Sequence, residues 1–309
     1  MNENEKQQIA ELVRAKISDL GISVNEFARR NKDIVSSANL SIILSEDKKW
    51  KTASISDKLW RSLGNLCGLK NRNWQLVATK NFLKTQSLCE DAQENSRMLA
   101  LAAFTGAGKT TALKNYAEKN QNVFYVLCTV SMGKRQFLAA MLKSMGVDVE
   151  GSIADRLEAI VRRLRMSEKP LLILDDYTKL RDEIKLLVQV IYDETEFLAG
   201  IVLAGTEKLK KHIDTAAAKD KLGFRELKCR ISYWQHLYRP SRKVVKDICN
   251  VNGVDDEKAA ETIYNKYVDY RSIRNVIENA LRVSARENRP VDAEIIVGLS
   301  VQDSMFLDN

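Results

Sequence analysis

The 309-residue chain is poor in the residues that make proteins flexible or cross-linked. Three prolines and thirteen glycines leave little room for long linkers and favour helix. Its five cysteines (Cys67, Cys89, Cys128, Cys229 and Cys249) form no C-x-x-C pair, and His212 and His236 are the only histidines. That argues against a zinc site or a disulfide framework and for reduced thiols packed as small hydrophobes, so the cytoplasm is the expected compartment. No apolar run approaches the roughly 18 residues of a membrane span. The polar start, MNENEKQQ, lacks the apolar core of a signal peptide, and no membrane partner is expected.

What is present is ordinary for a globular protein, with 45% hydrophobic and 29% charged residues and a net charge of +8. The positive balance suits a polyanionic partner, although charge bears on association and not on fold, and many basic proteins bind no nucleic acid.

Residues 1–70 read as a small helical domain. Ile9, Leu12, Val13, Ile17 and Leu20 recur at helical spacing, and Gly21 is placed to close that helix. Ser23 and Glu26 have the spacing of a capping box at the head of a short helix over 23–31. A second short helix is expected over 36–45 and an amphipathic one over 54–68, ending at Gly68. Two short helices joined by a turn suggest a helix-turn-helix, or else a plain bundle used for contacts between proteins. The second helix carries Ser36, Ser37, Asn39 and Ser41 but no Arg or Lys, which weakens the case for sequence-specific base reading. Residues 71–96 are expected to form a polar helical connector.

From residue 97 the pattern alternates strand with helix, the mark of a parallel sheet. Strands are expected at 98–103, 122–129, 170–174, 198–204 and 231–237, with helices near 109–119, 134–145, 153–166, 180–195 and 206–219. The expected fold is α/β: a nucleotide-binding core over 97–239, then a C-terminal helical lid over 240–309.

The stretch AFTGAGKTT (103–111) follows a strand and opens a helix. It matches the phosphate loop G-x-x-x-x-G-K-[ST] except that Ala103 takes the place of the first glycine. Thr105, Gly106, Ala107, Gly108 and Thr111 would wrap backbone N–H groups round phosphates at a helix N-terminus. Lys109 would reach the β- and γ-phosphates of ATP, and Thr110 would bind Mg²⁺. Downstream, LLILDDYTKL (171–180) is an apolar strand ending in two carboxylates. Asp175 stands where a Mg²⁺-associated acid belongs, and Asp176 where an acid that prepares water belongs; the bland alternative is that the pair caps the next helix. Thr206, in AGTEK (204–208), is either a polar sensor of the γ-phosphate or a helix cap.

Five strands with a polar residue ending the fourth resemble the AAA+ ATPases, over about residues 97–290. In that family the sensor strand lies between the strands bearing the phosphate loop and the acid. The resemblance implies an arginine donated by a neighbouring subunit, Arg225 or Arg230 of LGFRELKCRISYW (222–234). It also implies a lid arginine contacting the γ-phosphate, and in YRSIRN (270–275) Arg274 matches better than Arg271. Domain order and spacing through residues 104–131, 227–249 and 270–285 are similar to the transposition helpers, typified by phage Mu transposition protein B, TnsC and IstB. Asp176 departs from that group's usual Glu.

This resemblance implies a slow, phage- or mobile-element-encoded ATPase that forms a helical filament of identical subunits on target DNA. It would deliver that DNA to a transposase and activate it. Lys134 and Arg135, in SMGKRQF (131–137), lie where related filaments grip the DNA backbone, or else simply start a helix. The rival readings are a helicase loader of the DnaC kind and a nucleotide-gated repressor that does not hydrolyse ATP.

Overall fold

The structure is a computed structural model that describes residues 3–32, 34–45, 47–51, 53–67, 74–287 and 289–305. Its contacts divide the chain into two compact units, Met1–Gln75 and Leu76–Asn309.

The first unit contains α1 (Glu3–Asp19), α2 (Val24–Arg30), α3 (Ser37–Ile43), a short 3-10 turn (Lys49–Lys51) and α4 (Asp57–Leu66). Gly21 ends α1 in the left-handed region (φ 61°), where a side chain would be strained. Ser23 caps α2 by accepting from the Glu26 N–H, but the Glu26 carboxylate pairs with Arg29 and Arg30, so only half of the expected capping box forms. Ser36 spends its hydroxyl capping α3 at Asn39. Ile9, Val13, Phe27, Leu40, Trp60 and Leu63 fill the core, with Trp50 set edge-on to Trp60. Gly68, the expected end of α4, and residues 69–73 lie outside the described residues.

The second unit begins with α5 (Lys80–Glu94), which packs against the sheet rather than serving as a connector. Leu88, Cys89 and Ala92 are buried, spaced to give one apolar face that the surrounding polar residues obscure in the sequence. Gly200 makes the fit possible: a Cβ there would lie 2.1 Å from the Ala92 carbonyl oxygen.

The sheet comprises β1 (Met98–Ala102), β2 (Val123–Leu127), β3 (Leu171–Asp175), β4 (Gly200–Gly205) and β5 (Ile231–His236), all parallel, in the order β2-β3-β4-β1-β5. β1, β3 and β4 are buried along their whole length, as continuous apolar runs require when helices cover both faces. One face carries α7 (Lys134–Ser144), α8 (Ile153–Arg165), α9 (Asp182–Glu194), α10 (Lys208–Ala218) and α11 (Phe224–Arg230). The other carries α5 and α6 (Lys109–Lys119). The sequence pattern had placed no helix at α11.

A helical cluster follows, made of α12 (Arg242–Val251), α13 (Glu257–Lys266), α14 (Tyr270–Glu287) and α15 (Ala293–Met305). Val245, Ile248, Ile263, Ile273, Ile277 and Ile296 are among its buried residues. No described helix is long and apolar enough to cross a membrane, and all five cysteines are free thiols.

Asp182, the first residue of α9, ties three elements together. It accepts from His212 of α10 at 2.7 Å, from buried Lys185 at 3.3 Å, and from Lys221 in the loop before α11. Burial alone would raise its pKa, but the hydrogen bonds from Lys221 and His212 and the nearby positive charges outweigh that and bring it to about 2, against an ordinary 3.8. A carboxyl depressed to this degree contributes roughly 2 kcal/mol of stability. That contribution is present above pH 3.8 and lost as pH falls toward 2. Asp182→Asn is therefore expected to cost about 2 kcal/mol in urea unfolding at neutral pH, with the gap from wild type closing below pH 4.

Candidate nucleotide-binding site

Three strands deliver the chemistry to one edge of the sheet. The loop after β1 rises into α6 with Gly106 (φ 83°) and Gly108 (φ 86°) both left-handed. This backbone turn lets N–H groups face a common point at the helix N-terminus, where an anion is favoured. Lys109 is 7% exposed, and its ammonium donates to the Ala103 and Phe104 carbonyls at 3.0 and 2.9 Å. Burial lowers its pKa; Asp175 and Asp176 oppose that, and the Arg271 charge adds to it.

Asp175, fully buried at the end of β3, has all its hydrogen bonds from neutral donors. Oδ2 accepts from the Thr110 hydroxyl at 2.6 Å and the Tyr125 hydroxyl at 2.8 Å, and Oδ1 from the Asp176 N–H at 2.9 Å. The pairing of Thr110 with Asp175 across 65 residues of sequence joins the two motifs found separately. Tyr125 was missed; its only trace in the sequence is a phenol in an otherwise apolar strand. Burial, followed by the Asp175 charge, pushes its pKa well above that of an ordinary phenol, so its hydroxyl remains a donor.

Asp176 sits in the left-handed region (φ 57°), which Asp and Asn enter more readily than longer side chains. That is a local reason for the shorter acid here. Its carboxylate accepts from Lys179 at 2.7 Å. Neither acid caps α9, whose cap position is Arg181. Thr206 likewise makes no side-chain capping bond to α10, although its carbonyl accepts from the Leu209 N–H at 2.8 Å. Its N–H donates to Thr178 Oγ1 at 3.0 Å, and its own hydroxyl is buried without a partner among the described residues.

The helical cluster reaches the loop through the start of α14. The Tyr270 N–H donates to the Gly106 carbonyl at 3.0 Å. The Asp269 carboxylate, which caps α14 at Arg271 and Ser272, lies so close that a Cβ on Gly106 would stand 2.2 Å from its Oδ1. Arg271 is near enough for its charge to act on Lys109, whereas Arg274 forms a bond of 2.7 Å with Glu278 of its own helix. Arg230 is paired with Asp193 on α9. Arg225 pairs with Asp220 at 3.1 Å and keeps a side chain 65% exposed.

These residues fit a magnesium–nucleotide complex. The loop supplies N–H groups and a buried cation for phosphate, Thr110 and Asp175 supply the hard oxygen ligands Mg²⁺ prefers, and the orphaned Thr206 hydroxyl beside the loop has bonding capacity left over. Among the described residues, no cluster of His, Cys, Asp and Glu suggests another metal site.

Strand order, loop and acid define the class: a P-loop nucleotide-binding domain. Residues 92–213 match the family model described as AAA domain, so the chain carries an AAA-type P-loop ATPase domain. The match runs from the end of α5 into α10. The ORC2 protein of Aeropyrum pernix, solved in ADPNP–ADP complexes, shares the fold with a TM-score of 0.57 at 14% identity, covering 76% of this chain and 70% of that one. A RuvB variant from Thermotoga maritima matches with a TM-score of 0.47 at 18% identity, over 71% of this chain and 67% of that one. No curated protein matches the sequence.

Two substitutions probe the loop. Lys109→Ala is expected to abolish binding of a fluorescent ATP analogue. Gly106→Ala must adopt a left-handed φ and displace Asp269, so at least a tenfold weaker affinity is expected without loss of fold. Unchanged affinity in both variants would mean that nucleotide binds elsewhere.

Proposed function

We propose that this chain is an ATP-dependent DNA-binding ATPase that polymerises on duplex DNA of any sequence, presents it to a transposase and is released by slow hydrolysis of ATP with Mg²⁺. The observation that carries the DNA part of this reading is the start of α7. Lys134 and Arg135 occupy its first turn, which contains no acid, and cations there oppose the helix dipole. Arg135 is exposed and has no partner among the described residues. Arg181 reaches within 4.0 Å of a Cβ built on Gly133, and Glu183 is shared by Lys134 at 3.3 Å and Arg181 at 3.6 Å. Cations kept where the helix disfavours them suit an external polyanion, and contacts of this kind bind phosphate without reading bases.

Slow turnover is supported by Asp176. Its carboxylate must leave Lys179 before it can orient a water, and it is one methylene shorter than Glu. Arg225, the more exposed of the two finger candidates, is the one we assign to a neighbouring subunit's site, and Arg271 the one we assign to the γ-phosphate from the lid. Soluble, cytoplasmic action in a bacterial cell follows from the same reading. The N-terminal unit is given no base-reading role, because α3 exposes Ser37 and Ser41 and carries no cation.

Negative-stain microscopy with random-sequence duplex DNA, in ATP and in ADP, tests the whole reading when phosphate release is followed in parallel. Filaments are expected in ATP, and they should disappear as phosphate accumulates. Bare DNA with rings or monomers would favour a loader or a nucleotide-gated repressor, and in footprinting the protection of one short site would single out the repressor. Arg135→Glu is expected to weaken DNA binding at least tenfold and to flatten its salt dependence. Thermal stability should be equal or slightly raised, since an acid suits that helix position. DNA binding at the wild-type level would remove α7 from the interface.

A further inference from the structure

We propose that Tyr125 is a positioning residue that sets how tightly the nucleotide site holds Mg²⁺, by fixing the Asp175 carboxylate from the neighbouring strand. The inference rests on the assignment of this site to a magnesium–nucleotide complex.

β2 is an edge strand and pairs with β3 so that Tyr125 lies opposite Ile173, two residues before the Leu127–Asp175 pair. A side chain as long as tyrosine is needed to span that offset, and its hydroxyl reaches Asp175 Oδ2 at 2.8 Å. The ring packs with the cluster beneath α6, and the Lys114 ammonium lies over its face at 5.5 Å. Phenylalanine would satisfy both of those contacts. The hydroxyl therefore adds one thing, its bond to the carboxylate.

That bond matters because Asp175 Oδ2 is shared. The same oxygen accepts from Thr110 at 2.6 Å, and Thr110 is the residue that would turn an oxygen lone pair toward the metal. With Tyr125 and the Asp176 N–H holding the two carboxylate oxygens, the group keeps one rotation while Thr110 takes up its ligand. Without the phenol, the carboxylate must be ordered at the moment the ion binds. Outer hydrogen bonds of this sort typically change metal affinity 10–100-fold.

The test uses the full chain, a fluorescent ATP analogue, and a Mg²⁺ titration starting from EDTA. In Tyr125→Phe the metal-free affinity should stay within about twofold of wild type, while the Mg²⁺ concentration at half-effect should rise about tenfold. In an Asp175→Asn background, where the carboxylate is already gone, Tyr125→Phe should add nothing further. An unchanged or lower Mg²⁺ midpoint in Tyr125→Phe overturns the proposal, as does an equal shift in the Asp175→Asn background. Loss of metal-free affinity in Tyr125→Phe would make the phenol a structural support of the loop, which also overturns it. If wild type binds no nucleotide with or without Mg²⁺, the site assignment itself fails.

Discussion

One buried carboxylate organises the nucleotide-binding site of the second unit. Asp175 ends the apolar run of β3 at the point where β2 brings a phenol and α6 brings a hydroxyl, and all its hydrogen bonds come from neutral donors. A buried acid is costly without such bonds, so the elements that supply them are held in register around it. The phosphate loop is placed by α6, whose second residue is Thr110. The acid that would prepare water is the next residue along the chain, turned aside by a left-handed backbone. The geometry of the site is thus a consequence of satisfying one side chain.

A second carboxylate does similar work one step outward. Asp182 lies seven residues beyond Asp175 and draws in His212 and Lys221, fixing α10 and the loop leading to α11. Because α11 carries both Arg225 and Arg230, the position of either arginine depends on that anchor. The helical cluster makes its own attachment through Tyr270 and Asp269 at Gly106. Chain segments far apart in sequence therefore meet the phosphate loop from two sides, with glycine at the closest approach because no other residue leaves room.

Much of the fold was legible beforehand. The phosphate-loop helix begins and ends where its pattern predicts, and each expected strand appears with its ends moved by a residue or two. Continuous apolar runs such as LLIL and a glycine loop opening a helix are strong local signals, since burial on both faces and tight backbone turns each restrict residue choice sharply. α5 and α11 were harder to see. The first hides a narrow buried face among polar residues, and the second is seven residues long, too short for its period to stand out.

By itself, the sequence determined the class of chemistry: a loop that can adopt left-handed turns, a lysine and a threonine at its end, and an acid on an apolar strand. These depend on local backbone geometry and on spacing along one chain segment. Only the tertiary structure decided which side chains share a bond. It brought Tyr125 to Asp175, Asp269 to Gly106 and the Arg271 charge toward Lys109, and it left Arg274 with Glu278 and Arg230 with Asp193. Such pairings depend on strand register and helix docking, which sum many weak contacts across the whole domain, and no short stretch of sequence carries that sum.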